Sequence, residues 1–347
     1  MFQTVYTPER DVAIDESLLL WKGRLIFRQY IPLKRARFGI KIFALCDKSG
    51  YTYRFRVYTG REDNAQDVTT LLPSNTTNFN KPEKMVVYLL LPLLGKGYSA
   101  YMDNWYTTTR LFCYLHQQAT MACGTIRLNH IPSLIRTAHV QQDATLSFHA
   151  GPLLCLKFRD KKDVHVLTTT HDDGTRVYNA RGRRREQRRQ LQKPVAVIDY
   201  NRNMGGVDIA DQMIQPYSAA RKTLKWYKKL AIHLIQIALL NALILYKKTG
   251  GQYNFLKFQH EVIASLLFNI DAPDQTNKTE DIIRLTERHF PSKVEASATW
   301  TRRQKRCRVC SKRGVRRDVI IYCEQCPSKP GLCSAPCFGI WHTLLQF

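Results

Sequence analysis

Acidic residues are in short supply in this chain, with 28 Asp plus Glu against 53 Lys plus Arg in 347 residues. The resulting formal charge of +25 makes a polyanion the expected partner. Nucleic acid is the default polyanion, beside the blander reading of a basic RNA-associated or membrane-surface protein without chemistry. A secretory signal is missing as well: Met1 to Arg10 is polar and the first apolar stretch is broken by charges, so an intracellular protein is expected. Uninterrupted apolar runs of membrane-spanning length are also lacking. The longest apolar segment, Leu224 to Tyr246, is interrupted by Lys225, Lys228, Lys229, His233, Gln236 and Asn241; it is expected to be a core helix, and no membrane partner is expected. No long-period internal repeat is found, which sets repeat architectures aside.

What the chain does carry is 44% hydrophobic residues, enough to bury a core in two or three units. Gly39-Ile-Lys-Ile-Phe-Ala-Leu-Cys-Asp is a nearly continuous apolar run of strand length that ends in an acid and a turn, and the alternating stretch from Tyr51 to Gly60 reads as its antiparallel partner. Asp47 is thereby expected at a strand end, near the lip of a sheet. A second short strand ends at Asp103, before a helix with apolar positions at Leu111, Phe112 and Leu115. Asp208 and Asp211, in Asn203-Met-Gly-Gly-Val-Asp-Ile-Ala-Asp, are three apart and so lie on one face of a helix. Bare carboxylates at the ends of buried strands need a cation to compensate them, and a divalent metal with oxygen ligands fits. Asp47, Asp103 and Asp208 are expected to bind Mg²⁺ or Mn²⁺, with Asp211 either a further ligand or an orienting group. Two such ions can activate the attacking oxygen and stabilise the leaving oxygen at a phosphodiester. Acid-ended strand, acid-ended strand and acidic helix, in that order, predict an α/β fold with a ribonuclease-H-like catalytic core.

The predicted organisation is a first part of the core at 1–128, a β-rich insertion at 129–195, the last part of the core with the acidic helix at 196–216, a helical segment at 217–295 and a cysteine-rich module at 301–347. Six of the ten cysteines fall in that module. Cys307-x₂-Cys310, Cys323-x₂-Cys326, Cys333-x₃-Cys337 and His342 have the spacing of Zn²⁺ ligands, and so short a segment would draw its folding energy from metal. Two zinc ions want eight ligands where seven are found, so a water or an unidentified residue completes the second site or only one site is full; in a cross-brace Cys307 and Cys310 would share a metal with Cys333 and either Cys337 or His342, and the pairing stays open. Cys46, Cys113, Cys123 and Cys155 read as small buried hydrophobes. Arg221, Lys222, Lys225, Lys228 and Lys229 open the helical segment, and Arg313, Arg316 and Arg317 lie in the cysteine-rich module; both sets are expected to meet DNA phosphates. The run from Arg181 to Arg189 reads as an import signal, a phosphate-binding arm or a solvated loop, and Arg302 to Arg317 reads as the better import signal. Trp105 is expected to be a packing anchor for the sheet; at least one of Trp226 and Tyr227 is expected to pack in the core, the alternative being stacking on a flipped or single-stranded base.

One set of motifs runs across nearly the whole chain: Asp15-Glu-Ser with Gly23-Arg, Tyr30-Ile-Pro, Gly39-Ile-Lys with Cys46-Asp, Tyr58-Thr-Gly, Leu94-Gly-Lys-Gly-Tyr, Met102-Asp-Asn-Trp-Tyr-Thr, Gly124-Thr-Ile-Arg, Tyr200-Asn with Met204-Gly-Gly-Val-Asp and Asp211-Gln, and Arg221-Lys with Lys225-Trp. In these motifs the chain resembles the piggyBac family of DDE transposases, its transposable-element-derived members in particular. The resemblance puts the three catalytic aspartates on Asp47, Asp103 and Asp208, and a fourth important acid on Asp211. It implies a nuclear enzyme acting on double-stranded DNA at transposon ends, with hydrolytic nicking, transesterification by the freed 3′ hydroxyl, a hairpin intermediate and a TTAA target. It also implies a dimerisation and DNA-binding role for 217–295, hence a homodimer, and end recognition by the cysteine-rich module. Family members usually carry a long segment before the Asp-Glu-Ser motif, so an N-terminally short member is expected. The alternative is a domesticated, non-catalytic DNA-binding or chromatin-associated protein that uses the zinc module and basic helices.

Overall fold

A short helix, α1 (Phe2–Val5), precedes β1 (Asp11–Leu20), β2 (Gln29–Tyr30), β3 (Phe38–Asp47) and β4 (Thr52–Val57). These elements belong to a computed structural model that describes residues 2–32, 34, 36–60, 70–181, 188–219, 223–268, 289–294 and 304–344. Strand β3 is buried at nearly every position, as a strand covered on both faces must be, which accounts for its almost unbroken apolar run. It lies antiparallel to β1, from Val12↔Asp47 to Leu20↔Gly39, and β4 turns back beside it. Helix α2 (Lys81–Leu90) starts at an Asn80–Glu83 capping box and leads to β5 (Ser99–Met102), which pairs parallel with β1. Helix α3 (Thr109–Gln117), capped by Thr108, crosses to β6 (Met121–Thr125), parallel to β5. The order β4-β3-β1-β5-β6, with the first three antiparallel and the last two parallel to β1, is the ribonuclease-H-like arrangement.

After α4 (Ser133–Thr137) come β7 (Thr145–Ala150), β8 (Leu153–Arg159) and β9 (Asp163–Thr168). These strands of the segment read as an insertion continue the same sheet: β9 pairs with β6 at Cys123↔Thr168, and β8 and β7 follow outward. The edge that β6 would otherwise present is thereby covered. Strands β10 (Thr175–Arg181) and β11 (Arg188–Pro194) form a separate hairpin. Helices α5 (Val195–Asn203) and α6 (Gly206–Ile214) then return to the sheet, where α6 packs on β1 and β3.

Helix α7 (Trp226–Lys248) has 23 residues and by length and composition is long and apolar enough to cross a membrane, which departs from the expectation of stretches too short to do so. Its place is nevertheless the core. Ile237, Leu240, Leu243 and Ile244 are buried among the sheet residues, and Asn241 exchanges two hydrogen bonds of 2.9 Å with the backbone of Thr52. A polar side chain at the centre of an apolar helix is tolerated because both its groups are satisfied. Trp226 packs edge-on against Phe27, and Trp105 stacks on Phe43. Helix α8 (Phe255–Phe268) follows.

Two compact units divide the chain, Met1–Val262 and Ile263–Phe347. The second contains β12 (Pro291–Lys293), β13 (Lys305–Arg306), α9 (Arg308–Lys312), β14 (Asp318–Val319), β15 (Ile321–Cys323) and α10 (Cys337–Thr343). Among the described residues its buried interior is five of the six cysteines with Val309, Leu332 and Trp341, and Cys310 partly buried beside them, too little apolar matter to hold a fold without a staple.

Candidate active site and metal centres

Because β1 and β5 run parallel with Ile14 opposite Met102, the residues that follow, Asp15 and Asp103, stand level on neighbouring strands. Both line a cavity of about 1390 Å³ together with Asp208 and Asp211 of α6. Ser17 lies two residues past Asp15 and so on the same face of β1; its hydroxyl donates to Asp211 at 2.6 Å and ties α6 to the strand. The close approach of α6 is permitted by Gly206, where a Cβ would sit 2.4 Å from the carbonyl oxygen of Asp47.

Asp47 itself, expected to be a catalytic metal ligand, is not in this cavity. Strand β3 runs opposite to β1 and β5, so its last residue lies at the other edge of the sheet: Asp47 pairs with Val12, whereas Asp15 pairs with Ala44. Three strand residues, about 10 Å, separate the two levels. The Asp47 side chain is fully buried and accepts hydrogen bonds from the Tyr6 hydroxyl, the Ser49 N–H and hydroxyl, and the Tyr51 N–H. A carboxylate so occupied closes the β3–β4 turn and has no room for an ion. Asp15, not Asp47, lines the cavity beside Asp103. Its signal was an acid pair, Asp15-Glu16, set in the middle of an otherwise apolar strand, which only the strand directions could rank above Asp47.

One oxygen of each of three acids is held by the chain. Asp15 Oδ1 accepts from Glu16 N at 2.8 Å, Asp103 Oδ1 from Trp105 N at 2.8 Å and Asp211 Oδ1 from Ser17 Oγ at 2.6 Å. The Lys34 ammonium lies 3.8 Å from Asp15 Oδ2 and 3.2 Å from Asp208 Oδ1. Burial pushes Asp15 up to about 7, and it raises Asp103 and Asp211 above the usual carboxylate range as well. Carboxylates lifted by burial gain from a cation that holds them ionised, and an all-oxygen donor set suits Mg²⁺ or Mn²⁺. Among the described residues no three of these acids are gathered within 4.8 Å, the spacing at which the cysteine and histidine groups below are found. That openness agrees with a hard ion that takes one or two carboxylates and fills its shell with water and substrate phosphate.

Between the ordinary 3.8 of Asp15 and about 7, the folded protein holds a proton that the unfolded chain has released. Its contribution to stability is therefore fully present below the unfolded value and lost as pH rises toward the folded one. Mg²⁺ binds the ionised form, so it is expected to raise the melting temperature of the catalytic unit more at about pH 8 than at about pH 6. Thermal melts with and without metal measure this, and Asp15→Asn should remove the difference.

In the second unit, ligand atoms gather into two sets of four within 4.8 Å: Cys307, Cys310, Cys333 and Cys337, and His289, Cys323, Cys326 and His342. The second set supplies the eighth ligand that the spacing left unfound. His289 Nδ1 lies 3.2 Å from Cys323 Sγ and 3.3 Å from Cys326 Sγ, and His342 Nε2 lies 3.6 Å from Cys326 Sγ. Nδ1 of His342 is 2.7 Å from the Phe338 carbonyl oxygen, which leaves Nε2 for metal. Sulfur and imidazole donors in fours fit tetrahedral Zn²⁺. The sets interleave along the chain, so the open pairing resolves to a cross-brace in which Cys307 and Cys310 share an ion with Cys333 and Cys337. His289 falls outside the 301–347 span read from the sequence, where a lone histidine far from any cysteine pair carries no signal.

Of the basic residues expected to meet DNA, Lys225 and Lys228 are exposed, and Lys229 lines the acidic cavity. Arg313, Arg316 and Arg317 are exposed, Arg316 lying 3.7 Å from Asp318. Arg221, Lys222, the core of the Arg181–Arg189 run and Arg302 lie outside the described residues. Cys46, Cys123 and Cys155 are buried thiols and Cys113 is partly so; burial pushes Cys46 and Cys123 up to about 12, which leaves them unreactive.

Comparison with known proteins returns the same two parts. A family model described as Transposase IS4 matches residues 1–243, and one described as DDE_Tnp_1-like zinc finger matches residues 287–343. Human PiggyBac transposable element-derived protein 3 is 24% identical over 327 residues, covering 90% of this chain and 52% of the relative. Human PiggyBac transposable element-derived protein 2 is 23% identical over 300 residues, covering 80% and 48%. The cryo-EM structure of a piggyBac transposase synaptic complex with hairpin DNA superposes with a TM-score of 0.66 at 27% identity, over 96% of this chain and 69% of that one. The chain spans about half the length of the curated relatives it matches.

Proposed function

Since this chain belongs to the Transposase IS4 family as a piggyBac-like transposase or transposase-derived protein, we propose that its acidic cleft cleaves and joins DNA strands by metal-dependent phosphoryl transfer. The observation that carries the reading is the convergence of Asp15 and Asp103, level on two parallel strands, with Asp208 and Asp211 of one helix across a single cavity. Asp15 and Asp103 would hold Mg²⁺ or Mn²⁺ from the sheet, and Asp208 and Asp211 from the helix. When bound, such ions supply positive charge to the attacking and leaving oxygens of a phosphodiester. The protein's own part is positioning. Backbone N–H groups of Glu16 and Trp105 and the Ser17 hydroxyl fix the carboxylates, while Lys22, Arg37 and Lys229 on the cavity wall meet the phosphate backbone. No side-chain nucleophile is needed, because water or a DNA 3′ hydroxyl attacks.

The partner in this reading is double-stranded DNA, the zinc module contributes exposed arginines to its recognition, and the site of action is the nucleus. The test is nicking of a duplex end by purified protein with and without Mg²⁺ or Mn²⁺, beside an Asp103→Ala variant. Metal-dependent nicking that disappears in the variant supports the proposal. DNA binding without any metal-dependent cleavage would move the protein to the non-catalytic alternative.

A further inference from the structure

Lys34 stands out among the cations of the cleft. It sits in the loop between β2 and β3, which is closed on itself by hydrogen bonds from Ile31 N to Arg37 O at 2.7 Å, Lys34 N to Ile31 O at 3.2 Å and Arg37 N to Lys34 O at 3.0 Å. That small ring carries the Lys34 side chain to two acids from different elements, Asp15 of β1 and Asp208 of α6. Arg28, on the same wall, is committed elsewhere: it donates to the carbonyls of Lys22 and Gly23 and lies over the Phe38 ring. Two acids of the cleft, Asp15 and Asp208, form ion pairs with Lys34, while Glu16, which also lines the cavity, pairs with Lys41.

The atoms it engages matter. Asp15 Oδ1 already accepts from the Glu16 N–H, so Oδ2, the oxygen facing Lys34, is the freer of the two to join a metal. Linking a strand carboxylate to a helix carboxylate is also the task of an ion bound between β1 and α6. A monovalent ammonium and a divalent ion cannot both occupy those oxygens.

We propose that Lys34 is an internal counter-ion that holds the cleft together without metal, competes directly with the divalent ion for Asp15 and Asp208, and swings away when the ion enters. The inference rests on the acid cleft being the metal site. Lys34 is then a positioning residue that sets how much free metal is needed to load the cleft. On its short loop, the released ammonium stays at the cavity wall, where the phosphate of a DNA strand would meet it.

The experiment uses the full chain and Mn²⁺ as probe, with free ion followed by electron paramagnetic resonance, in wild type, Lys34→Met, Lys34→Arg and Asp103→Ala. The zinc sites are loaded beforehand so that they do not take up the probe. Methionine keeps the length of the side chain without its charge and should tighten Mn²⁺ binding on the order of tenfold, while lowering the melting temperature of the metal-free protein. Arginine keeps the charge and should leave binding near the wild-type level. If Lys34→Met binds Mn²⁺ no more tightly than wild type, while Asp103→Ala still weakens binding, the counter-ion role is overturned and the metal site stands. If Asp103→Ala leaves Mn²⁺ binding unchanged, the metal site itself falls.

Discussion

Asp15→Asn is expected to reduce metal-dependent strand cleavage on the order of 10³-fold or more, because a ligand shared by the cleft is lost and its remaining members cannot replace it. The same substitution should change the stability of the metal-free fold little, since relief of the buried carboxylate is offset by loss of its ion pair with Lys34. Asp47→Ala should behave in the opposite way. It strands the hydrogen-bond donors of Tyr6, Ser49 and Tyr51 inside the protein and should cost about 3 kcal/mol or more of stability. Mn²⁺ binding per folded molecule should survive it. Denaturant unfolding and cleavage measured on both variants separate the two roles, and substantial cleavage by Asp15→Asn would return the first acid to Asp47 or elsewhere.

The second large effect is expected from zinc. Chelation should unfold residues 289–344 while leaving the cooperative transition of the catalytic unit nearly unchanged, since structural zinc supplies roughly 10 kcal/mol or more to modules with so little core. Elemental analysis should find two zinc ions per chain, and His289→Ala should release one of them. His289 precedes β12, which pairs with β15, so its loss should also open that strand pair to proteolysis. Full zinc content in His289→Ala would show that His289 holds no metal.

How much of this could be read in the chain depends on how local the signal is. The run Gly39 to Cys46 and the paired cysteines announce themselves within a few residues, and the structure places each in the element its chemistry favours. Asp103, Asp208 and Asp211 were legible because each sits beside a turn or on a short helix face. Asp47 misled because an acid at the end of an apolar strand looks the same at either lip of a sheet; only the direction of β3 relative to β5 tells the two lips apart, and that direction is a property of the whole sheet. The same holds for His289, brought to Cys323 and Cys326 by the pairing of β12 with β15. The strands from Leu153 to Phe158 and from Val164 to Thr170 were legible, but not their neighbour: pairing to β6 is a long-range choice that no local pattern encodes.

The contact at Gly206 gives the cleft an unequal stiffness. Asp15 and Asp103 are spaced by the hydrogen-bond register of two paired strands, a separation that side-chain changes elsewhere scarcely alter. Asp208 and Asp211 are spaced from them by how near α6 lies to the end of β3, with one hydrogen bond from Ser17 to Asp211 beside it, and at that close approach the clearance is the width of a missing methyl group. Even an alanine would lever the helix outward and enlarge the gap between its acids and those of the sheet, with every carboxylate intact. Gauge, in this molecule, is set at a residue that has no side chain.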